Sequence, residues 1–219
     1  NYSNQSFEWR PAIDFCMKAP GDTGGTACTQ PTGDAVCWVA PSSPRCWAVS
    51  STDTAPALLA LGARATLVST AGEREIPLED LYANDGMAYL TKRPDEVLTA
   101  LRLPPLGEAW RSTYWKLRRR GAFDFPVLGV AAAVRFSIGN VVEEARVVLG
   151  AVASRPLVVP QVADLVGKPL ADPVIRDFAA AAAGLAKPMD NTDFTLSWRK
   201  KIAASYVAGA LKELRDAVR

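Results

Sequence analysis

Between Ser112 and Val152 three strand-like runs follow one another, and helical patterns follow them. The runs are "STYWKLRR", "VLGVAAAVRFS" and "VVEEARVVLGAV", with "IGN" between the second and third as a hairpin signal. The segments "PQVADLVG", "DPVIRDFAAAAAGLA" and "FTLSWRKKIAASYVAGALKELRDAV" come next, and in the last of them Ile202, Tyr206, Leu211 and Leu214 can share one face. Strands first and helices second predict an α+β arrangement, an antiparallel three-stranded sheet packed with a helical bundle. A chain of 219 residues, 49% of them hydrophobic, can bury such a core.

Ahead of this region lies a smaller set of elements. "STDTAPALLALGA" predicts a short helix with Asp53 as N-cap and Gly62 as its stop. "ARATLVST" and "REIPL" predict two strands about a turn, "PLEDLY" a helical turn, and "EVLTALRLP" a third strand ending at Pro104 and Pro105. The proline pair is the expected domain boundary, dividing the chain into residues 1–104 and 105–219.

Residues 1 to about 50 show no period and are rich in turn formers. They hold all four cysteines, Cys16, Cys28, Cys37 and Cys46. An ordered loop of this length calls for a staple. Three readings of the cysteines stand side by side. Disulfides suit secreted chains, but no signal peptide opens the sequence. Structural Cys₄ zinc usually uses close C-x2-C pairs, and none is present. An iron–sulfur cluster also takes four thiolates and tolerates a long wrapping loop.

The chain has no histidine, which removes Ser-His-Asp and Cys-His catalysis and His-ligated metals. A net charge of +2 gives no argument for nucleic acid. No apolar run reaches the length of a membrane helix. The opening "NYSNQSFEWR" has no initiator methionine and reads as the interior of a longer chain.

Taken in order, "SSTDTAPALLALGA", "IPLEDLYANDG", "LTKRPDEVLTALRLP", "YWKLRRRGAFDFPVLGVAAAV", "EEARVVLGAV" and "DNTDFTLSWRKKIAASYVAGAL" resemble the FAD-binding subunit of the molybdenum hydroxylase (xanthine oxidase) family. The front, "NYSNQSFEWR...FCMK...CWVAPSSPRCWA", is similar to the insert of the 4-hydroxybenzoyl-CoA reductase β-subunit branch, which carries a [4Fe–4S] cluster beside FAD. The resemblance implies that residues 1–104 hold the C-terminal lobe of an FAD-binding domain with a cysteine-rich insert at about 1–50, and that 105–219 form the subunit's C-terminal α+β domain. It makes Cys16, Cys37 and Cys46 cluster ligands. The branch's first ligand would fall just before Asn1, and Cys28, in an extra "DTGGTACTQPTGD" segment, is a spare or a substitute. It also places Asp53 near the FAD ribose and phosphates, Val97 and Leu98 on the strand passing the isoalloxazine, and Lys116 close to the flavin. On patterning alone these are an N-cap, ordinary strand positions and a solvated strand charge.

The branch's glycine-rich pyrophosphate lobe has no counterpart in the sequence, since "TGGT" at Thr23–Thr26 sits inside the cysteine loop. FAD is therefore expected of the complete subunit, with weak binding or none by this chain. The implied function is cytoplasmic electron transfer as an oxidoreductase subunit. The implied partners are a molybdenum-cofactor subunit, a [2Fe–2S] subunit and a ferredoxin-like or other electron carrier. Two alternatives stand: an FAD subunit of an aldehyde, xanthine or CO dehydrogenase, and a Cys₄ zinc-stapled interaction module. Arg118, Arg119 and Arg120 form either a partner-facing patch or a solvated face.

Overall fold

A computed structural model describes residues 43, 45–188 and 194–217. Cys16, Cys28 and Cys37, the Thr23–Thr26 turn, and Asp190 and Asp193 lie outside the described residues.

The described chain opens with helix α1 (Thr54–Ala60), then β1 (Arg64–Ser69), β2 (Gly72–Pro77), a 3₁₀ turn (Leu78–Leu81) and β3 (Val97–Arg102). These strands form an antiparallel sheet in the order β2-β1-β3, leaving β3 at an edge. A second antiparallel sheet follows, from β4 (Trp110–Leu117), β5 (Leu128–Phe136), β6 (Val142–Gly150) and β7 (Leu157–Val158) in the order β4-β5-β6-β7. The predicted three strands are all present. The fourth is a two-residue pairing of Leu157 and Val158 with Leu149 and Val148, too short to leave a periodic signal. A 3₁₀ segment (Pro160–Leu165) then leads into α2 (Asp172–Leu185) and α3 (Leu196–Asp216).

Local chemistry accounts for the element ends. Gly62 adopts φ +75°, and its N–H and that of Ala63 return to Leu59 and Leu58, which closes α1. Gly139 and Asn140 take φ +101° and +63° in the β5–β6 turn, where the Ser137 N–H donates to Val141. Thr195 caps α3, its hydroxyl accepting from the Trp198 N–H at 3.4 Å. Asp53 stands at the expected N-cap position of α1, but without the capping bond. Its side chain makes no cap bond to α1, and the Ala55 N–H turns instead to Thr52 Oγ1 at 3.4 Å.

β5 is buried along almost its whole length because both faces of its sheet are covered. Leu128, Val130, Ala132, Val134 and Phe136 face one way, into a core shared with Ile175 and Phe178 of α2 and Val207, Leu211 and Leu214 of α3. Ala131 and Ala133 face the other, with Leu59 of α1 and Ala65 and Leu67 of β1. The small side chains on this second face let α1 come close. A Cβ on Gly150 would sit 2.9 Å from Pro56 Cγ, so the helix rests where the strand has no side chain. Pro104 and Pro105 fall in the coil between β3 and β4. Among the described residues no helix is long and apolar enough to cross a membrane.

Candidate functional site

A cleft of about 440 Å³ opens between the extended segment Ala48–Thr52 and the β3 edge of the first sheet. Its apolar wall is Leu81, Tyr82, Tyr89, Leu90 and Leu98, and its polar wall carries Ser50, Ser51, Thr52 and Ser154. Pockets that hold small molecules or cofactors span about 300–1,000 Å³ and share this mix of an apolar body with a few placed polar groups.

The segment that forms one wall is pinned to the second sheet. The Ser50 N–H donates to Ala153 at 3.0 Å, and the Ala151 N–H donates to Ser50 at 3.2 Å. Four residues earlier the Cys46 carbonyl accepts from the Gly86 N–H at 2.8 Å and from Ser154 Oγ at 3.3 Å. Gly86 permits this contact because a Cβ there would stand 2.7 Å from Cys46 Sγ and from Ala48. The buried Cys46 thiol thus lies against the floor of the cleft, and the Ala48 N–H points at its sulfur at 3.4 Å.

At the neighbouring end of the segment, Asp53 meets β4. Its carboxylate accepts from the Lys116 ammonium at 2.7 Å and from the Tyr114 hydroxyl at 2.9 Å. The Lys116 side chain is 10% exposed against 41% for Asp53, so the pair is half in water. Burial and the hydrogen bond to Asp53 push the Tyr114 phenol well above its ordinary range, which keeps it a donor. Gly129 opposite provides room for the ring, since a Cβ there would be 2.9 Å from the Tyr114 hydroxyl. Burial also raises the Tyr82 phenol.

The residues expected at the cofactor are distributed unevenly around this cleft. Leu98 lines it. Val97 pairs with Val68 on the opposite face of the sheet and is 63% exposed. Asp53 and Lys116 engage each other, with Asp53 adjacent to the lining residue Thr52. Of the four candidate metal ligands, Cys46 alone falls within the described residues, among which no group of three or more His, Cys, Asp or Glu could hold a metal ion. Sequence reasoning missed Tyr82, Tyr89 and Tyr114. A tyrosine in a strand or turn reads as generic packing until its partner is known.

Two family models match consecutive stretches of the chain. Residues 23–106 match the FAD binding domain in molybdopterin dehydrogenase, and residues 112–214 match the CO dehydrogenase flavoprotein C-terminal domain. Residues 23–106 and 112–214 thus carry, in order, matches to two domains of the FAD-binding subunits of the molybdenum hydroxylase family. It is 31% identical over 113 residues to a xanthine dehydrogenase FAD-binding subunit of Escherichia coli, covering 51% of this chain and 38% of that one. It is 29% identical over 164 residues to the carbon monoxide dehydrogenase medium chain of Afipia carboxidovorans, covering 73% and 55%. The fold superposes on reconstituted CO dehydrogenase from Oligotropha carboxidovorans with a TM-score of 0.70 at 25% identity, over 76% of this chain and 57% of that one. It superposes on quinoline 2-oxidoreductase from Pseudomonas putida 86 with a TM-score of 0.66 at 21% identity, over 78% and 58%. The chain thus spans between about two fifths and three fifths of the length of the relatives it matches.

The cleft fits one end of a flavin. Leu81, Leu90 and Leu98 offer a flat apolar wall for a ring system, and the hydroxyls of Ser51 and Thr52 suit a ribityl chain. No lysine or arginine lines it among the described residues, so the cleft offers no counter-charge for a pyrophosphate.

Proposed function

We propose that this chain forms the flavin-ring end of the electron-transfer subunit of a molybdenum enzyme. The cleft walled by Leu98 carries the reading, because it lies within the stretch that matches the FAD-binding domain and suits the ring end of the cofactor. When bound, FAD would supply two-electron chemistry that can be passed on one electron at a time. The chain's own part is to hold the ring against Leu90 and Leu98, exclude water there, and present Tyr82 and Tyr89 at the wall. Asp53 and Lys116 are assigned to the same cofactor as supporting positions, and Val97, on the far face of β3, serves only as the strand neighbour that sets Leu98 at the cleft. The complete assembly would include molybdenum and [2Fe–2S] subunits and work in the cytoplasm.

The test is titration with riboflavin and FAD, followed by flavin fluorescence. Both are expected to bind weakly and within about threefold of each other, since the lining gives the pyrophosphate no partner. Leu98→Asp should abolish both. FAD binding far more tightly than riboflavin, or riboflavin not binding, would overturn the proposal.

The cysteine insert supports the finer reading, a reductase-type subunit with a [4Fe–4S] cluster on Cys16, Cys37 and Cys46 and with Cys28 as spare or substitute. The backbone N–H directed at Cys46 Sγ is the kind of hydrogen bond that tunes cluster sulfurs. A cluster there would adjoin the cleft floor at Gly86. Anaerobic reconstitution with iron and sulfide should give visible absorption that bleaches with dithionite and is lost in Cys46→Ser. Tight zinc without sulfide would point to the stapled module instead. The family names of the relatives favour a dehydrogenase of the xanthine or CO type as the second reading.

A further inference from the structure

The loop joining β4 to β5 presents large apolar groups to solvent. Phe123 is 93% exposed and Phe125 is 66% exposed, on a segment that begins with the exposed cations Arg118, Arg119 and Arg120. Exposed phenylalanines cost hydration, so a braced pair of them beside arginines marks a contact surface more than a solvated turn.

The brace is specific. Asp124 is buried and accepts from the Arg120 N–H at 3.0 Å, the Arg120 guanidinium at 2.6 Å and the Phe125 N–H at 2.9 Å. These bonds hold its carboxyl well below the ordinary carboxylate range. Asp124 is the sole carboxylate between Leu117 and Val127, so the exposed charges that the loop itself contributes are all cationic. The base of the loop is closed by the Val127 N–H donating to Leu117 at 2.8 Å. Arg199 of α3 donates to the Val127 carbonyl at 2.9 Å, which brings the first turn of α3, with exposed Lys200 and Lys201, beside the loop.

We infer that this loop and the start of α3 form the docking surface for an acidic redox carrier protein, with Arg118 and Arg119 steering it and Phe123 and Phe125 as anchors. Preformed aromatic and arginine groups are the usual energetic centres of an interface, and like-signed charge around them sets orientation and on-rate. A single short loop lacks the long cationic groove that tracks a nucleic-acid backbone. The inference rests on the flavin reading for its redox sense. Lys116 links the two sites, since its ammonium donates both to the Ala122 carbonyl of the loop at 2.9 Å and to Asp53, next to Thr52 in the cleft wall.

The experiment measures binding of a plant-type [2Fe–2S] ferredoxin, an acidic protein, to the chain by calorimetry at low and high salt. Binding is expected to weaken about tenfold or more with added salt. The double variant Arg118→Glu, Arg119→Glu should lose more than about tenfold at low salt, and Phe123→Ser about tenfold. Lys168→Glu, an exposed cation away from the loop, should change little, and all three should melt with the parent. No ferredoxin binding, or binding indifferent to the double variant, would overturn the inference. So would equal, equally variant-sensitive binding of single-stranded DNA or anionic vesicles, which marks a general polyanion surface. Docking is read without flavin, so its failure beside a positive riboflavin titration sinks this inference alone.

Discussion

The two sheets of this molecule are built from similar strands and held in opposite ways. In the β4–β7 sheet the central strand β5 is closed on both sides by apolar side chains, and its one partly open position is Arg135. In the β1–β3 sheet only β1 carries a buried row, while β3 is exposed at Val97, Leu98 and Leu101. Charge does much of the holding there. Glu75 on β2 reaches both Arg64 on β1 and Arg102 on β3. The buried Glu96, just before β3, takes a two-pronged bond from Arg74 on β2 at 2.6 and 2.9 Å and the Arg93 N–H at 2.6 Å. The closed sheet is a foundation. The open one leaves an edge and a cleft, where a ligand can be met.

The largest expected effect breaks that contrast if it fails. Leu211→Ala in the closed core should cost about 2–5 kcal/mol, while Leu101→Ala on the open edge should stay within about 0.5 kcal/mol. Urea denaturation reads both from the transition midpoint. Equal losses would mean that the open edge is as fully packed as the core.

A smaller effect sharpens it through acid. The Arg74 guanidinium and then the Arg93 N–H lower the Glu96 carboxyl to about 2. Its folded value lies below its unfolded one, so its stabilisation is complete above the ordinary carboxylate range and fades as pH falls towards about 2. Hydrogen-exchange protection of residues 92–102, after correction for the intrinsic pH dependence of amide exchange, should therefore fall on acidification before protection in β5 and β6 does. In Glu96→Gln the open sheet should already exchange faster at neutral pH and lose that acid step. Simultaneous loosening of both sheets would deny them separate modes of stabilisation.

Part of the site was legible in the chain and part was not. The resemblance implied Leu98 at the cofactor, and Leu98 lines the cleft proposed to receive it. Asp53 and Lys116 were singled out separately, yet nothing in the sequence joined them. They stand 63 residues apart, on a helix start and a strand. Asp53 reads as an N-cap because it precedes a helix, but a strongly bound ammonium outcompetes a helix N–H for the same carboxylate. The fourth strand escaped notice because two residues carry no periodicity.

What the amino-acid order determined by itself is the succession of elements and their ends. Alternating β-branched runs, the Gly62 stop and the Gly139–Asn140 turn act through neighbours a few residues away, so the information is local. What the tertiary structure decided is which faces are covered and which are left open. The double burial of β5, the ion pair of Asp53 with Lys116, the Cys46 sulfur under Gly86 and the cleft itself all depend on groups brought together from distant parts of the chain. Burial and ion pairing act through space, and separation along the sequence does not encode that distance.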